Sequence, residues 1–300
     1  MASTPVTVLD GGLATELERR GHDLSDDLWS ARLLRDDPQA LVETHLAFFR
    51  AGAQVATTAS YQASFEGFAA QGLSRAESAA LMRASVTLAR RAADLADAEL
   101  GDGVRRKVAA SVGPYGAVLA DGSEYSGDYG LTDQALRDFH GPRLEVLASA
   151  GADLLAVETI PSAQEAAVLL GLLDELEVPA WLSVTCEDAS HTRRGDDVRN
   201  LFAMARGHDR LVAVGVNCTA PEHVETLVAT AAGASGKPVV AYPNSGESWD
   251  GARRRWAGDG VGVDPVAARR WVAAGAHWVG GCCRVSSDDI ARLAADLRLE

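Results

Sequence analysis

The sequence predicts a (β/α)8 barrel, the TIM-barrel form of the α/β class, on three observations. Eight short apolar runs recur along the 300 residues, helical segments with capping signals lie between them, and no phosphate-loop glycine fingerprint follows any run. The runs are continuous rather than alternating, as expected of parallel strands buried on both faces. Strand–helix alternation repeated eight times closes a barrel. A doubly wound open sheet, the competing architecture, usually has fewer strands and a G-x-G-x-x-G or Walker sequence after one of them.

Taken in order, the first run is 6–9 (VTVL), leading into Asp10, Gly11 and Gly12, and the second is 53–57 (AQVAT), leading into Thr58, Ser60 and Tyr61. The third, 107–112 (KVAASV), follows a long helical stretch at 74–100 that opens with Ser74 and Glu77 in capping-box spacing. The fourth, 153–157 (DLLAV), ends at Glu158, and a helix over 162–176 begins with the same device at Ser162 and Glu165. The fifth is 179–185 (PAWLSVT) and the sixth is 211–216 (LVAVGV), which runs into Asn217 and Cys218 before a helix over 221–232. The seventh, 237–241 (KPVVA), reaches Tyr242 and Asn244, and Asp264–Pro265 start a helix to 274. The eighth, 276–281 (AHWVGG), meets Cys282 and Cys283, and Ser286 and Ser287 open a last helix to 297. Segments 114–134 and 246–262 show no periodicity and read as long functional loops. No linker or repeat divides the chain, so residues 1–300 read as one domain.

Composition excludes several function classes. Apolar residues make up 47% and charged residues 23%, ordinary for a soluble globular protein. Acidic residues number 42 against 28 basic ones, a net charge of −14 that disfavours nucleic acid and anionic membrane surfaces as partners. No apolar run approaches the roughly 18 residues that span a bilayer, and the amino terminus lacks a basic leader. A cytoplasmic protein, monomeric or a small homo-oligomer, is the expectation. In that setting the four cysteines (186, 218, 282 and 283) point to metal binding or catalysis rather than disulfides.

In a barrel the chemistry sits at the carboxyl ends of the strands. Cys218 ends the sixth run, and Cys282 and Cys283 follow the eighth. Three thiolates from converging strand ends leave one tetrahedral position open on a zinc ion, the arrangement of catalytic sites. Adjacent cysteines share one metal only if the strand has already ended, and Gly280–Gly281 would permit that bend. By spacing alone a strained vicinal disulfide, or small buried hydrophobes, remain open.

The segments LDGGLATELERRG (9–21), TTASYQASFEGF (57–68), SVGPYGA (111–117), VETIPSAQEA (157–166), GVNCTAPEHV (215–224), YPNSGE (242–247) and GGCCR (280–284) together resemble the homocysteine S-methyltransferase family. The resemblance spans nearly the whole chain. It implies one Zn2+ per chain on Cys218, Cys282 and Cys283, with the homocysteine sulfur as fourth ligand. It also implies Glu158 as the group holding the amino acid's ammonium, with Asp10 as a second carboxylate or, alternatively, a turn residue. Backbone amides around Gly11, Gly12 and Thr58 would receive the carboxylate, Asn217 would support Cys218, and Tyr61 and Tyr242 would line the site or simply pack. Cys186 matches no ligand position. The donor implied by the compact length is a sulfonium, S-methylmethionine or S-adenosylmethionine, and methionine is the product. Selenocysteine- or betaine-type methyl transfer and a non-catalytic thiol-binding protein are the alternatives within the resemblance. A barrel hydrolase using Asp10 and Glu158 as an acid–base pair leaves the cysteines without a role.

Overall fold

The computed structural model describes residues 6–24, 29–119, 122–250, 255–257, 260 and 262–297. Its strands are β1 (Thr7–Val8), β2 (Val55–Thr57), β3 (Lys107–Val112), β4 (Leu154–Ile160), β5 (Ala180–Val184), β6 (Leu211–Asn217), β7 (Val239–Tyr242), β8 (Ser248–Asp250), β9 (Arg255–Ala257) and β10 (Ala276–Val279). Eight of them form one parallel sheet in the order β1-β10-β7-β6-β5-β4-β3-β2. A parallel bridge between Leu9 and Val55 joins the two ends. There Asp10 N–H donates to Val55 O at 3.1 Å and Gln54 N–H to Val8 O at 2.7 Å, closing the sheet on itself. Each of the eight apolar runs is a barrel strand.

Strand periodicity divides the apolar residues between two cores. Val108, Ala110 and Val112, Leu155 and Val157, Ala180, Leu182 and Val184, and Val214 and Val216 face outward into the layer packed by the helices. Ala109, Leu154, Ala156, Trp181, Ala213, Val240 and Tyr242 face inward. Trp181 meets Tyr242 and Trp278 edge-on, with ring centroids 6.1 and 5.5 Å apart, so aromatic rings fill the barrel interior. The same parity turns Ser111, Glu158, Ser183 and Asn217 inward at the carboxyl ends of their strands, above that plug.

The helices start where the sequence says. Ser74 caps Arg75–Leu100 with a full capping box, and the helix stops at Gly101, whose φ is 56°. Ser162 caps Ala163–Leu173 through its Oγ, 3.2 Å from Glu165 N. The expected box is not completed there, because Glu165 turns its carboxylate to Tyr115 N–H and to His140. Both aperiodic segments contain structure too short to show a period. Tyr115–Leu119 is a single helical turn and Ser123–Tyr125 a 3-10 turn. In the second segment β8 and β9 form an antiparallel hairpin with Trp249 opposite Trp256, and residues 251–254, 258, 259 and 261 lie outside the described residues. Among the described residues no helix is long and apolar enough to cross a membrane.

Candidate metal centre and acceptor site

Cys218 and the Cys282–Cys283 pair converge although β7 lies between their strands. The three Sγ atoms lie within 4.8 Å of one another, and Cys218 Sγ is 3.9 Å from Cys283 Sγ. Thiolates on one tetrahedral ion at about 2.3 Å are about 3.8 Å apart, so the donor set fits a metal ion and the Cys218–Cys283 separation matches one. Cys218 and Cys282 are paired as a disulfide, contrary to the expectation of none. Their Cα atoms are 5.7 Å apart, a separation that a disulfide can bridge, because strand ends that converge on one ion also bring two thiols together. Metal binding at these thiols therefore requires the reduced protein. Cys186 stands apart in the outer core, and burial pushes its thiol up to about 12.

Backbone strain is concentrated at these strand ends. Among the described residues three non-glycine residues have positive φ: Thr159 at 62°, Cys218 at 48° and Arg284 at 65°. Each follows or is a candidate functional residue, where the surrounding structure must hold an unfavourable conformation in place. β10 ends at Val279, so Cys282 and Cys283 lie in a turn and not on opposite faces of a strand. Gly280–Gly281 lie between the strand end and the cysteines, as expected, but without a positive φ; the left-handed residue of this turn is Arg284. What Gly281 provides is space: a Cβ there would lie 2.2 Å from Val285 Cγ1. Gly12 does the same from the other side, where a Cβ would fall 2.5 Å from Cys282 O. Gly12→Ala is expected to push the Cys282 turn outward, costing about 1–3 kcal/mol as overpacked sites do. A lower melting temperature together with weaker metal retention checks this.

Inside the barrel Glu158 is buried and held by two hydroxyls. Ser111 Oγ donates to its Oε1 in a short hydrogen bond, and Tyr242 OH donates to Oε2 at 2.9 Å. Tyr242 OH also takes the Trp181 Nε1 hydrogen at 2.9 Å and contacts Ser183 Oγ at 2.6 Å. Ser183 Oγ continues to Asn217 Oδ1 at 2.8 Å. Asn217 then clamps Thr159, accepting its N–H and donating to its Oγ1, each at 2.7 Å. A ring of polar contacts therefore runs Glu158–Tyr242–Ser183–Asn217–Thr159 and returns through the chain to Glu158. Asn217 Nδ2 also approaches Cys282 Sγ at 3.9 Å, so its side chain reaches the cysteine cluster through Cys282 rather than through its neighbour Cys218.

Asp10 is buried at the end of β1 and accepts from Thr57 N–H at 2.7 Å and Thr57 Oγ1 at 3.1 Å. Burial, and then the charge of Glu158, raise its carboxyl well above the usual range. Burial also pushes Glu158 up to about 7 and raises the Tyr242 phenol far above its ordinary value. Among the described residues neither carboxylate has a hydrogen bond or ion pair to a basic side chain. Two buried acids, each raised by burial and Asp10 also by the charge of Glu158, form a site for a cation.

The amides expected to receive a carboxylate are largely spent within the fold. Gly12 N–H donates to Val285 O at 2.9 Å and Thr58 N–H to Ala109 O at 3.0 Å. Gly11 fits tightly too, as a Cβ there would meet Val285 O at 2.6 Å. The Thr58 hydroxyl has a different use: it accepts Ser111 N–H at 3.0 Å. The Tyr61 ring lies on Gly113, whose Cβ would be 2.7 Å from it. Sequence reasoning missed Ser183, and it placed Ser111 and Thr159 at strand ends without assigning either a role. The alternation of Trp181 and Ser183 with Leu182 and Val184 was the available signal.

The family model for homocysteine S-methyltransferase matches residues 7–297. The homocysteine S-methyltransferase of Escherichia coli (strain K12) is 46% identical, covering 97% of this chain and 94% of the relative. The selenocysteine Se-methyltransferase of Brassica oleracea var. italica is 44% identical, covering 94% of this chain and 86% of that one. The crystal structure of the homocysteine methyltransferase MmuM from Escherichia coli, metallated form, superposes with a TM-score of 0.87 at 45% identity, covering 97% and 96% of the two chains. With this match over its whole barrel, and three cysteines clustered at the barrel's carboxyl-terminal end, the chain belongs to the homocysteine S-methyltransferase family.

Proposed function

We propose that this chain moves a methyl group from a sulfonium donor to the sulfur of homocysteine, forming methionine, with one Zn2+ per chain on Cys218, Cys282 and Cys283. The observation that carries the reading is the pairing of two unlike sites at one end of the barrel: clustered thiols, and buried carboxylates with no basic partner among the described residues. A ligand that satisfies both offers a soft sulfur and an ammonium, as homocysteine does. The whole chain then acts as one homocysteine-binding domain.

Bound zinc would keep the acceptor sulfur as a thiolate at neutral pH while leaving it nucleophilic. Glu158 holds the acceptor's ammonium, fixed by Ser111 and Tyr242, and Asp10 adds a second negative charge. Asn217 ties the Thr159 backbone to Ser183 and Tyr242, so the carboxylate and the Cys282 side chain are held in one frame. The acceptor sulfur attacks the methyl carbon as the donor's carbon–sulfur bond breaks, and the donor leaves as a neutral thioether. Most of the acceleration comes from holding the two sulfurs in line with that carbon. S-methylmethionine suits this step because both products are then methionine. Transfer to selenocysteine is the second reading, favoured by the 44% identity to the Brassica enzyme.

The test incubates reduced, zinc-loaded protein with homocysteine or selenocysteine and each sulfonium donor, following the methylated product. No product from either donor would refute the reading. The pH dependence is a further expected outcome. Below about 7 Glu158 is protonated and neutral, and it then loses its attraction for the ammonium. The kcat/KM for homocysteine should therefore rise with pH through about 7 and level off, and the Glu158→Gln profile should lack that step.

A further inference from the structure

Beneath the loops that follow β2 and β3 lies a buried charge that methyl transfer does not use directly. Arg143, on the helix Asp133–Ala148, is fully buried and makes no ion pair among the described residues. Its guanidinium gathers backbone carbonyls instead. Nη1 donates to Gly113 O at 3.2 Å, and Nη2 donates to Tyr61 O at 2.9 Å with a longer contact to Ser60 O at 3.5 Å. The group sits over the Phe139 ring, 5.3 Å from its centroid. The nearby Glu165 acts on it through space, but Glu165 Oε1 is committed to His140 Nε2 at 2.8 Å and Tyr115 N–H at 2.7 Å.

A guanidinium removed from water needs compensating acceptors, and its planar fork can draw on several at once. Here they come from two loops that meet at the barrel mouth. Within them Ser60 Oγ donates to Ser111 O at 2.7 Å, and Ser111 N–H donates to Thr58 Oγ1 at 3.0 Å. Ser111 Oγ is in turn a donor to Glu158. A continuous path of hydrogen bonds and backbone thus joins a cation in the helical layer to the carboxylate inside the barrel.

We propose that Arg143 is a positioning residue for the acceptor amino acid. By tying the Ser60–Tyr61 and Gly113 carbonyls together it fixes Ser111, which orients Glu158, and so it sets the fit of the acceptor's ammonium end without touching substrate. This rests on the function proposed above. The ammonium of lysine is a compact charge that does not span both loops as the fork does, while methionine removes every one of these bonds.

The experiment measures steady-state kinetics, bound zinc and melting temperature for reduced, zinc-loaded Arg143→Lys and Arg143→Met, with each substrate varied in turn. The homocysteine KM is expected to rise about tenfold in Arg143→Lys and further in Arg143→Met, while the donor KM stays within about twofold. Zinc content is expected to match the wild type. A homocysteine KM within about twofold of wild type in Arg143→Lys overturns the proposal. So does an equal rise in both KM values, a loss of zinc, or an Arg143→Lys protein that fails to fold, since each marks a general structural role. If only Arg143→Met fails to fold, Arg143→Lys decides alone. Wild-type protein assayed in parallel separates the two readings: no methionine from wild type counts against the proposed function. Active wild type with unmoved variants counts against Arg143 only.

Discussion

Cys218→Ala is expected to abolish methyl transfer under reducing conditions and to lower bound zinc well below the about one ion per chain that three thiolates and an open position imply. The cysteine is one of only two buried ones, it sits at a positive φ that the strand end imposes, and its sulfur lies 3.9 Å from that of Cys283. Removing one of three ligands leaves two thiols on neighbouring residues of a single turn, which do not hold an ion in tetrahedral geometry. The loss of several kcal/mol of charge stabilisation corresponds to about 1,000-fold or more in rate. Alanine occupies the same backbone conformation with a smaller side chain, so the fold survives and circular dichroism should be unchanged. Measured zinc content and initial rates of methionine formation check the expectation. A Cys218→Ala protein that keeps near-wild-type activity would contradict the metal role of the cluster.

Glu158→Gln has the second largest expected effect, and it moves activity and stability in opposite directions. Glutamine keeps the shape and can still accept from Tyr242, but it offers no charge to the acceptor's ammonium. Truncating one partner of a buried charge pair costs about 2–5 kcal/mol, or roughly 300-fold in kcat/KM near the middle of that range. Stability follows the raised pKa. In the ligand-free protein Glu158 ionises at about 7 instead of its ordinary 4.5. Its stabilising contribution is complete below the unfolded value and is lost as pH rises from about 4.5 through about 7. Above that window the buried carboxylate costs on the order of 3 kcal/mol relative to an unperturbed one. At pH 8 the glutamine variant should melt higher than wild type while turning over more slowly. A lower melting point with unchanged kcat/KM would show that the carboxylate is structural.

The barrel was legible in the sequence because parallel strands buried on both faces need continuous apolar runs, and such runs are visible in a one-dimensional string. All eight run positions coincide with barrel strands. The same continuity hides which residues face inward. Ser183 sits between Leu182 and Val184 in a run that looks uniformly core, and only the closed barrel shows that it bridges Tyr242 and Asn217. The cysteine cluster was visible as residue types at strand ends, whereas the contact between Cys282 and Asn217 depends on strand register. Gly281 looked like a source of flexibility, yet its role is to let Val285 approach. A single-turn helix at Tyr115–Leu119 and three-residue strands in the β8–β9 hairpin are shorter than any period a sequence can display. Arg143 was invisible for another reason: an arginine in a helix looks like a surface residue until the fold buries it.

The central claim is that the three-cysteine cluster holds the ion that activates the acceptor sulfur. Its most direct test removes metal from the reduced wild-type protein with a chelator and then returns zinc in measured portions, following methionine formed from homocysteine and S-methylmethionine. Activity is expected to vanish on removal and to return linearly with zinc, reaching a plateau at about one equivalent per chain. Methionine formation at an undiminished rate by the reduced, metal-stripped protein would contradict the claim.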